Sequence, residues 1–218
     1  MTSVDRIEAY VEKARSVGSC VELVSPEAVA DRLRSLCDSL AGQSSSGHDS
    51  GVGKVGERDR APLPRAEEGF LVALPANGWP SGLKEEVEKA LASLGCRIVS
   101  PQAVDGGYGW NRGVLAQALL GVTYCRTFLA ETGSLVVPSG PGMGTLATLL
   151  PPVHLALSHA DGCRANLADH LGDLAGSLPS RLTLITGPSR TGDIEASMTK
   201  GVHGPREVHH WILVPSGI

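Results

Sequence analysis

Apolar residues recur at three- and four-residue steps early in the chain. Ile7, Tyr10, Val11 and Ala14 mark one face of a helix over 5–17, which Gly18 ends. Cys20 to Val24 is a short run with strand character. Ser25 and Pro26 read as an N-cap and a first-turn proline, opening a helix that carries Val29, Leu33, Leu36 and Leu40 on one side. The periodicity then stops. Residues 42–69, GQSSSGHDSGVGKVGERDRAPLPRAEEG, are rich in Gly, Ser, Pro and charge, and such a segment buries too little surface to offset its ordering entropy. It reads as a mobile loop or linker, with a short strand at Val52–Val55.

From Phe70 onward, strand-like and helix-like patterns alternate. Phe70–Leu74 reads as a buried strand. Ser81 caps a helix with Leu83, Val87, Leu91 and Leu94 on one face, Glu85 and Glu86 in its first turn and Gly95 just past its end. Arg97–Val99 is the next strand, Asn111 opens a helix to Leu120, and Val122–Ala130 and Ser134–Pro138 are strand-like. Val153–Leu157, a helix over Ala165–Leu174, Leu182–Thr186, a short helix from Thr191 and a strand Val208–Val214 complete the pattern. This alternation predicts an α/β fold with a largely parallel sheet flanked by helices. The organisation expected is an N-terminal helical arm (1–41), the loop or linker (42–69) and an α/β domain (70–218).

Composition narrows the partners. The chain has 218 residues, 42% hydrophobic and 19% charged, and a net charge of −4, which speaks against a broad basic face for nucleic acid. Aromatics are 4%, too few for a base-stacking platform. No window has the length and apolarity of a membrane span. The N-terminus lacks a hydrophobic signal core, so a cytoplasmic location is expected. Cys20, Cys37, Cys96, Cys125 and Cys163 form no CxxC pair, which predicts reduced thiols rather than a zinc or iron–sulfur site in this chain.

Candidate chemistry concentrates in three places. In LTLITGPSRTGDIEASMTKGVHGP (182–205) a strand ends at Thr186 and Gly187, Pro188 and Ser189 make a sharp turn. Asp193 and Glu195 follow in the first turn of the expected helix. A strand-to-helix turn of small residues at the carboxyl rim of a sheet lets an anion reach free backbone N–H groups, with Ser189 and Thr191 as donors. The same serine and threonine would equally serve as plain caps. His203, held between Gly201 and Gly204-Pro205, is a candidate acid or base near neutral pH, or a hydrogen-bonded turn residue. Glu131-Thr132-Gly133 joins two strands, where a carboxylate is a nucleophile, a ligand clamp or a turn acceptor. His209 and His210 alternate on the last strand, face opposite sides and cannot chelate a metal together. Residues 139–145, SGPGMGT, fit neither a dinucleotide nor a P-loop pattern and read as a flexible loop. Residues 106–111, GGYGWN, suit a lid with an aromatic tip or a helix approach.

The order FLAETGSLVV, LLPPVHLAL, ITGPSRTGDIE and GVHGPREVHHWIL, spanning about 70–214, resembles the lactate-utilization protein C (LutC/YkgG) family, whose members carry the LUD domain. The resemblance implies an α/β fold of the NagB/RpiA/CoA-transferase type. It also implies a part in oxidising L-lactate to pyruvate with two iron–sulfur partner proteins, with no cofactor bound by this chain. It points to Glu131, Thr132 and Gly133, to Gly187, Pro188, Ser189, Asp193 and Glu195, and to His203, Gly204 and Pro205. Glu131 and His203 are the catalytic candidates, and Thr132, Gly133, Gly187, Pro188, Ser189, Thr191, Asp193, Glu195 and Gly204 are candidates for holding a small anion. Members commonly show an arginine shortly before LLPP. The stretch GPGMGTLATLLPP has none, which leaves either a different ligand or Arg190 or Arg206 as a substitute anion clamp. The alternative reading is an independent enzyme or binding module for a small carboxylate, sugar phosphate or acyl-CoA.

Overall fold

A computed structural model describes residues 2–45, 70–105, 107–143, 145–192, 198–200 and 203–215. Helix α1 (Ser3–Ser16) starts with a capping box, in which the Thr2 hydroxyl accepts from the Asp5 N–H and the Asp5 carboxylate from the Thr2 N–H. Strand β1 (Cys20–Val24) leads into a 3₁₀ turn (Pro26–Ala28) and helix α2 (Val29–Ser45). Ser25 holds the N-cap position of that turn, but its side chain makes no cap hydrogen bond. Helix α2 continues through 42–45, residues that the loss of periodicity had placed in the linker. The Val52–Val55 strand expectation lies outside the described residues.

The chain resumes with β2 (Leu71–Ala73), α3 (Leu83–Ser93) and β3 (Arg97–Val99). The N-cap of α3 is Gly82 at φ 82°, not Ser81, because the turn into the helix requires a positive φ. A hairpin of β4 (Gln102–Val104) and β5 (Gly107–Gly109) occupies the segment expected as a lid or helix approach. Helix α4 (Arg112–Leu115) is capped by Asn111, whose side chain accepts from the Val114 N–H. It is one turn long, because Leu120, its expected end, is already in strand β6 (Leu120–Tyr124). The run Val122–Ala130 is two strands: β6 and β7 (Thr127–Leu129) belong to different sheets, and the chain changes sheet at Cys125–Arg126. Then come β8 (Ser134–Pro138), β9 (Val153–His159), β10 (Cys163–Arg164), α5 (Leu167–Asp173) and β11 (Leu182–Ile185). Thr191, the expected start of a short helix, lies instead in β12 (Arg190–Gly192), which pairs antiparallel with β13 (Met198–Lys200); the rest of that expected helix lies outside the described residues. Strand β14 (Glu207–Leu213) closes the fold.

Six strands form an all-parallel sheet in the order β1-β14-β9-β6-β2-β3. A smaller sheet, β10-β7-β8-β11, is antiparallel except for the β10–β7 pair. The large sheet is buried on both faces, which explains why its central strands read as almost unbroken apolar runs. Val153, Leu155, Leu157 and Trp211 pack on one face against Leu33 of α2 and Val87 and Leu91 of α3. On the other face Ala156 and Ile212 pack with Tyr10 and Ala14 of α1 and Phe128 and Leu135 of the small sheet. The first forty residues thus supply an edge strand and two core helices.

A polar seam crosses this second core. Ser158 Oγ donates to the Cys125 carbonyl at 2.6 Å, so it accepts from His210 Nε2 at 2.8 Å. His210 Nδ1 is then left to accept from the Tyr10 hydroxyl, also at 2.8 Å. Beside it, His154 Nε2 and Thr123 Oγ1 share a 2.8 Å hydrogen bond, while His154 Nδ1 has no partner among the described residues. Burial pushes both imidazoles down to about 3, and each is lowered further by a neighbouring histidine.

Candidate functional site

The two short turns and the histidine loop converge. The Thr132 and Ser134 hydroxyls are 2.7 Å apart, as are those of Ser134 and Thr186, so the 131–133 turn is linked to the end of β11. Ser189 follows three residues later. Its Oγ accepts from the His203 N–H at 3.3 Å, and its own N–H donates to the Pro205 carbonyl at 2.9 Å. Both turns lie on the last turn of α1. A Cβ on Gly133 would sit 2.6 Å from the Ala14 nitrogen, and one on Gly187 would sit 2.5 Å from the Val17 carbonyl oxygen. Both glycines also have positive φ, at 68° and 81°. The close packing of α1 thus accounts for these two glycines.

The cluster's place differs from the carboxyl rim that the strand-to-turn pattern suggests. The Arg206 N–H donates to the Pro152 carbonyl, just ahead of β9, and Pro205 precedes β14, so the histidine loop sits at the amino end of the parallel sheet. The reason is topological. The turn at Gly187–Ser189 ends β11, which belongs to the small sheet, and no parallel βαβ crossover places it. Nor does a helix N-terminus follow it, since β12 does.

The cluster divides into two sets of residues. Gly133, Gly187, buried Pro188, Ser189, Gly204 and buried Pro205 hold the turns together, and Thr132 is committed to Ser134. The side chains of Glu131 and His203 are exposed and make no hydrogen bond or ion pair among the described residues. Thr191 pairs through its backbone with Thr199 in the hairpin; Asp193 and Glu195 lie outside the described residues. Arg190 packs its guanidinium on Gly18, and exposed Arg206 marks the start of β14. His209 bonds Glu207 on the face opposite His210, as strand alternation requires. Among the described residues no group of three His, Cys, Asp or Glu side chains is arranged to hold a metal.

A cavity of about 780 Å³ opens at the other rim, beyond the carboxyl ends of β6 and β9. Trp79, Tyr124, Arg126, His159, Arg164 and His170 are among its lining. The Tyr124 hydroxyl and His159 Nδ1 share a 2.9 Å hydrogen bond, and burial raises the phenol above its usual range. Arg164 bonds the Asp173 carboxylate, which holds that carboxyl below its ordinary value, and donates to the Asp161 carbonyl. Burial lowers the His170 imidazole, although Asp173 partly opposes this. None of the candidate catalytic or anion-binding residues read from the sequence lines this cavity, although Ser139 and Met143 of the SGPGMGT segment do. Its parts come from the ends of several elements far apart in the chain, and no local spacing announces them.

The sequence model of the LUD domain matches residues 7–214. The chain belongs to the LUD domain family. Among its relatives is the Lactate utilization protein C of Bacillus subtilis, 34% identical over 153 residues, or 65% of this chain and 56% of that protein. That of Geobacillus sp. (strain WCH70) is 28% identical over 162 residues, 69% of this chain and 59% of the relative. The chain thus spans less than two thirds of the length of these relatives. A crystal structure of a DUF162 family protein from Deinococcus radiodurans shares the fold, with a TM-score of 0.59 at 15% identity over 98% of this chain and 99% of that one. Among the described residues of this LUD chain no helix is long and apolar enough to cross a membrane.

Proposed function

We propose that this LUD protein is a component of an L-lactate utilization system that oxidises L-lactate to pyruvate together with iron–sulfur partner proteins. The observation that carries the reading is the LUD match over 7–214, joined to relatives that bear the name Lactate utilization protein C. Oxidation of lactate releases two electrons and two protons. In this reading the electrons pass to clusters held by the partners. The amino-rim cluster is the part assigned to the anion, with Glu131 and His203 as the side chains that meet it, because the other members are occupied in holding the turns. A carboxylate and an imidazole are groups suited to moving the protons.

Growth on L-lactate tests the proposal. A host deleted for this gene should fail to grow on L-lactate and should be rescued by the wild-type chain. Normal growth of the deletion strain on L-lactate as sole carbon source would reject the assignment. Glu131→Gln and His203→Ala should fail to rescue while leaving the melting temperature of the purified protein unchanged.

A further inference from the structure

The carboxyl-rim cavity has features of a binding site separate from the amino-rim cluster. Strand β9 runs from the amino rim at Val153 to His159 in the cavity wall, and its length at about 3.3 Å per residue separates the two places by roughly 20 Å. Ligands of open parallel sheets bind beyond the carboxyl ends of the strands, where this cavity lies. Its volume falls within the range of about 300–1,000 Å³ typical of small-molecule sites, and a three-carbon acid would leave most of it to water.

The lining specifies a ligand class. Trp79, Tyr124 and His159 form a row of rings, with centroids 6.4 Å and 5.6 Å apart. Their polar atoms are largely used within the protein: Trp79 Nε1 donates to the Pro75 carbonyl at 3.0 Å, and Tyr124 bonds His159. What the row offers is therefore ring surface. Arg126 stands two residues past Tyr124 in the cavity lining, and its charge favours the phenolate, although the carboxylate of Asp161, also in the lining, opposes it more strongly. Its guanidinium has no hydrogen bond or ion pair among the described residues, unlike Arg164, which is committed to Asp173 and to two carbonyls. An uncommitted planar guanidinium beside an aromatic wall matches a carboxylate or phosphate attached to a flat ring.

We infer that this cavity binds a flat organic anion, with its acidic group on Arg126 and its ring against Trp79 and Tyr124. The site goes beyond the lactate role and does not depend on it. The test is calorimetric titration of the full chain with AMP, FMN and indole-3-acetate, with inorganic phosphate and L-lactate as ringless controls. At least one ring-bearing anion should bind with a Kd below about 1 mM, and neither ringless anion should compete with it. Tighter binding of AMP or FMN assigns a phosphate headgroup, and tighter binding of indole-3-acetate assigns a carboxylate. Arg126→Ala and Trp79→Ala should each weaken binding about tenfold, while Trp79→Phe keeps a ring and stays within about threefold of the wild type. Because Arg126 is exposed, Arg126→Ala should melt with the wild type, which separates loss of binding from loss of fold. Failure of all three ring-bearing anions to bind, displacement by phosphate or lactate, or affinities unchanged in both alanine variants would overturn the inference.

Discussion

Mild acid should unfold this protein through two buried histidines. His154 and His210 are fully buried, and burial holds both down to about 3. An unfolded chain titrates them near 6.5. The folded pKa is the depressed one, so the unfolded state binds more protons between these values. Their contribution to stability is complete above about pH 6.5 and declines as pH falls toward 3. At pH 5, about 1.5 units below the unfolded value, each histidine has cost about 2 kcal/mol, or about 4 kcal/mol for the pair. For a chain of this size that lowers Tm by about 8–16 °C. Ordinary carboxylates are still mostly ionised at pH 5, so they add little to the change. Thermal melts at pH 7.5 and pH 5.0, with urea titrations at intermediate values, measure it. His154→Gln should cut the steepest slope from about 2.7 to about 1.4 kcal/mol per pH unit. A Tm that changes by less than about 3 °C between the two pH values would refute the reasoning.

Other outcomes follow from the same packing. Tyr10→Phe removes the donor to His210 Nδ1 and leaves a buried acceptor unpaired, which should cost about 1–3 kcal/mol in urea unfolding. Gly187→Ala places a methyl 2.5 Å from the Val17 carbonyl at positive φ and should destabilise by about 2 kcal/mol or more, read as a lower denaturation midpoint. Arg164→Ala frees Asp173 from the guanidinium that lowers it, so the Asp173 carboxyl should titrate higher by NMR, while the exposed pair contributes little to Tm.

Much of the fold is legible in the residues themselves. Val153, Leu155 and Leu157 on one side of β9, and the apolar stripe Leu83, Val87 and Leu91 of α3, mark those elements in the sequence. Gly95 at φ 73° ends α3 as its position past the last apolar residue predicts. The readings that differ involve tertiary competition. Leu120 is drawn into β6 by its parallel partners Val72 and Val153, and this cuts α4 short. The stretch after Thr191 has no helical periodicity to resist strand pairing, and Arg190 meets Lys200 across the hairpin. The run Val122–Ala130 looks continuous because both sheets bury it, although the chain leaves one sheet for the other within it.

The candidate sites divide along the same line. The turns at 131–133 and 187–189 and the loop at His203 are contiguous motifs and could be picked out, but their rim was set by β11 belonging to the small sheet. The cavity could not be picked out, because Trp79, Arg126 and His159 adjoin only in space. Nor could the Tyr10–His210 bond, which joins residues 200 positions apart.

Pyruvate formation from L-lactate by the iron–sulfur partner proteins proposed above, with this chain present or omitted and an artificial electron acceptor supplied, tests the lactate role most directly. Lactate-dependent pyruvate formation should fall at least about tenfold when the chain is left out, a change in effective barrier of about 1.4 kcal/mol. Equal rates with and without the chain would contradict that role.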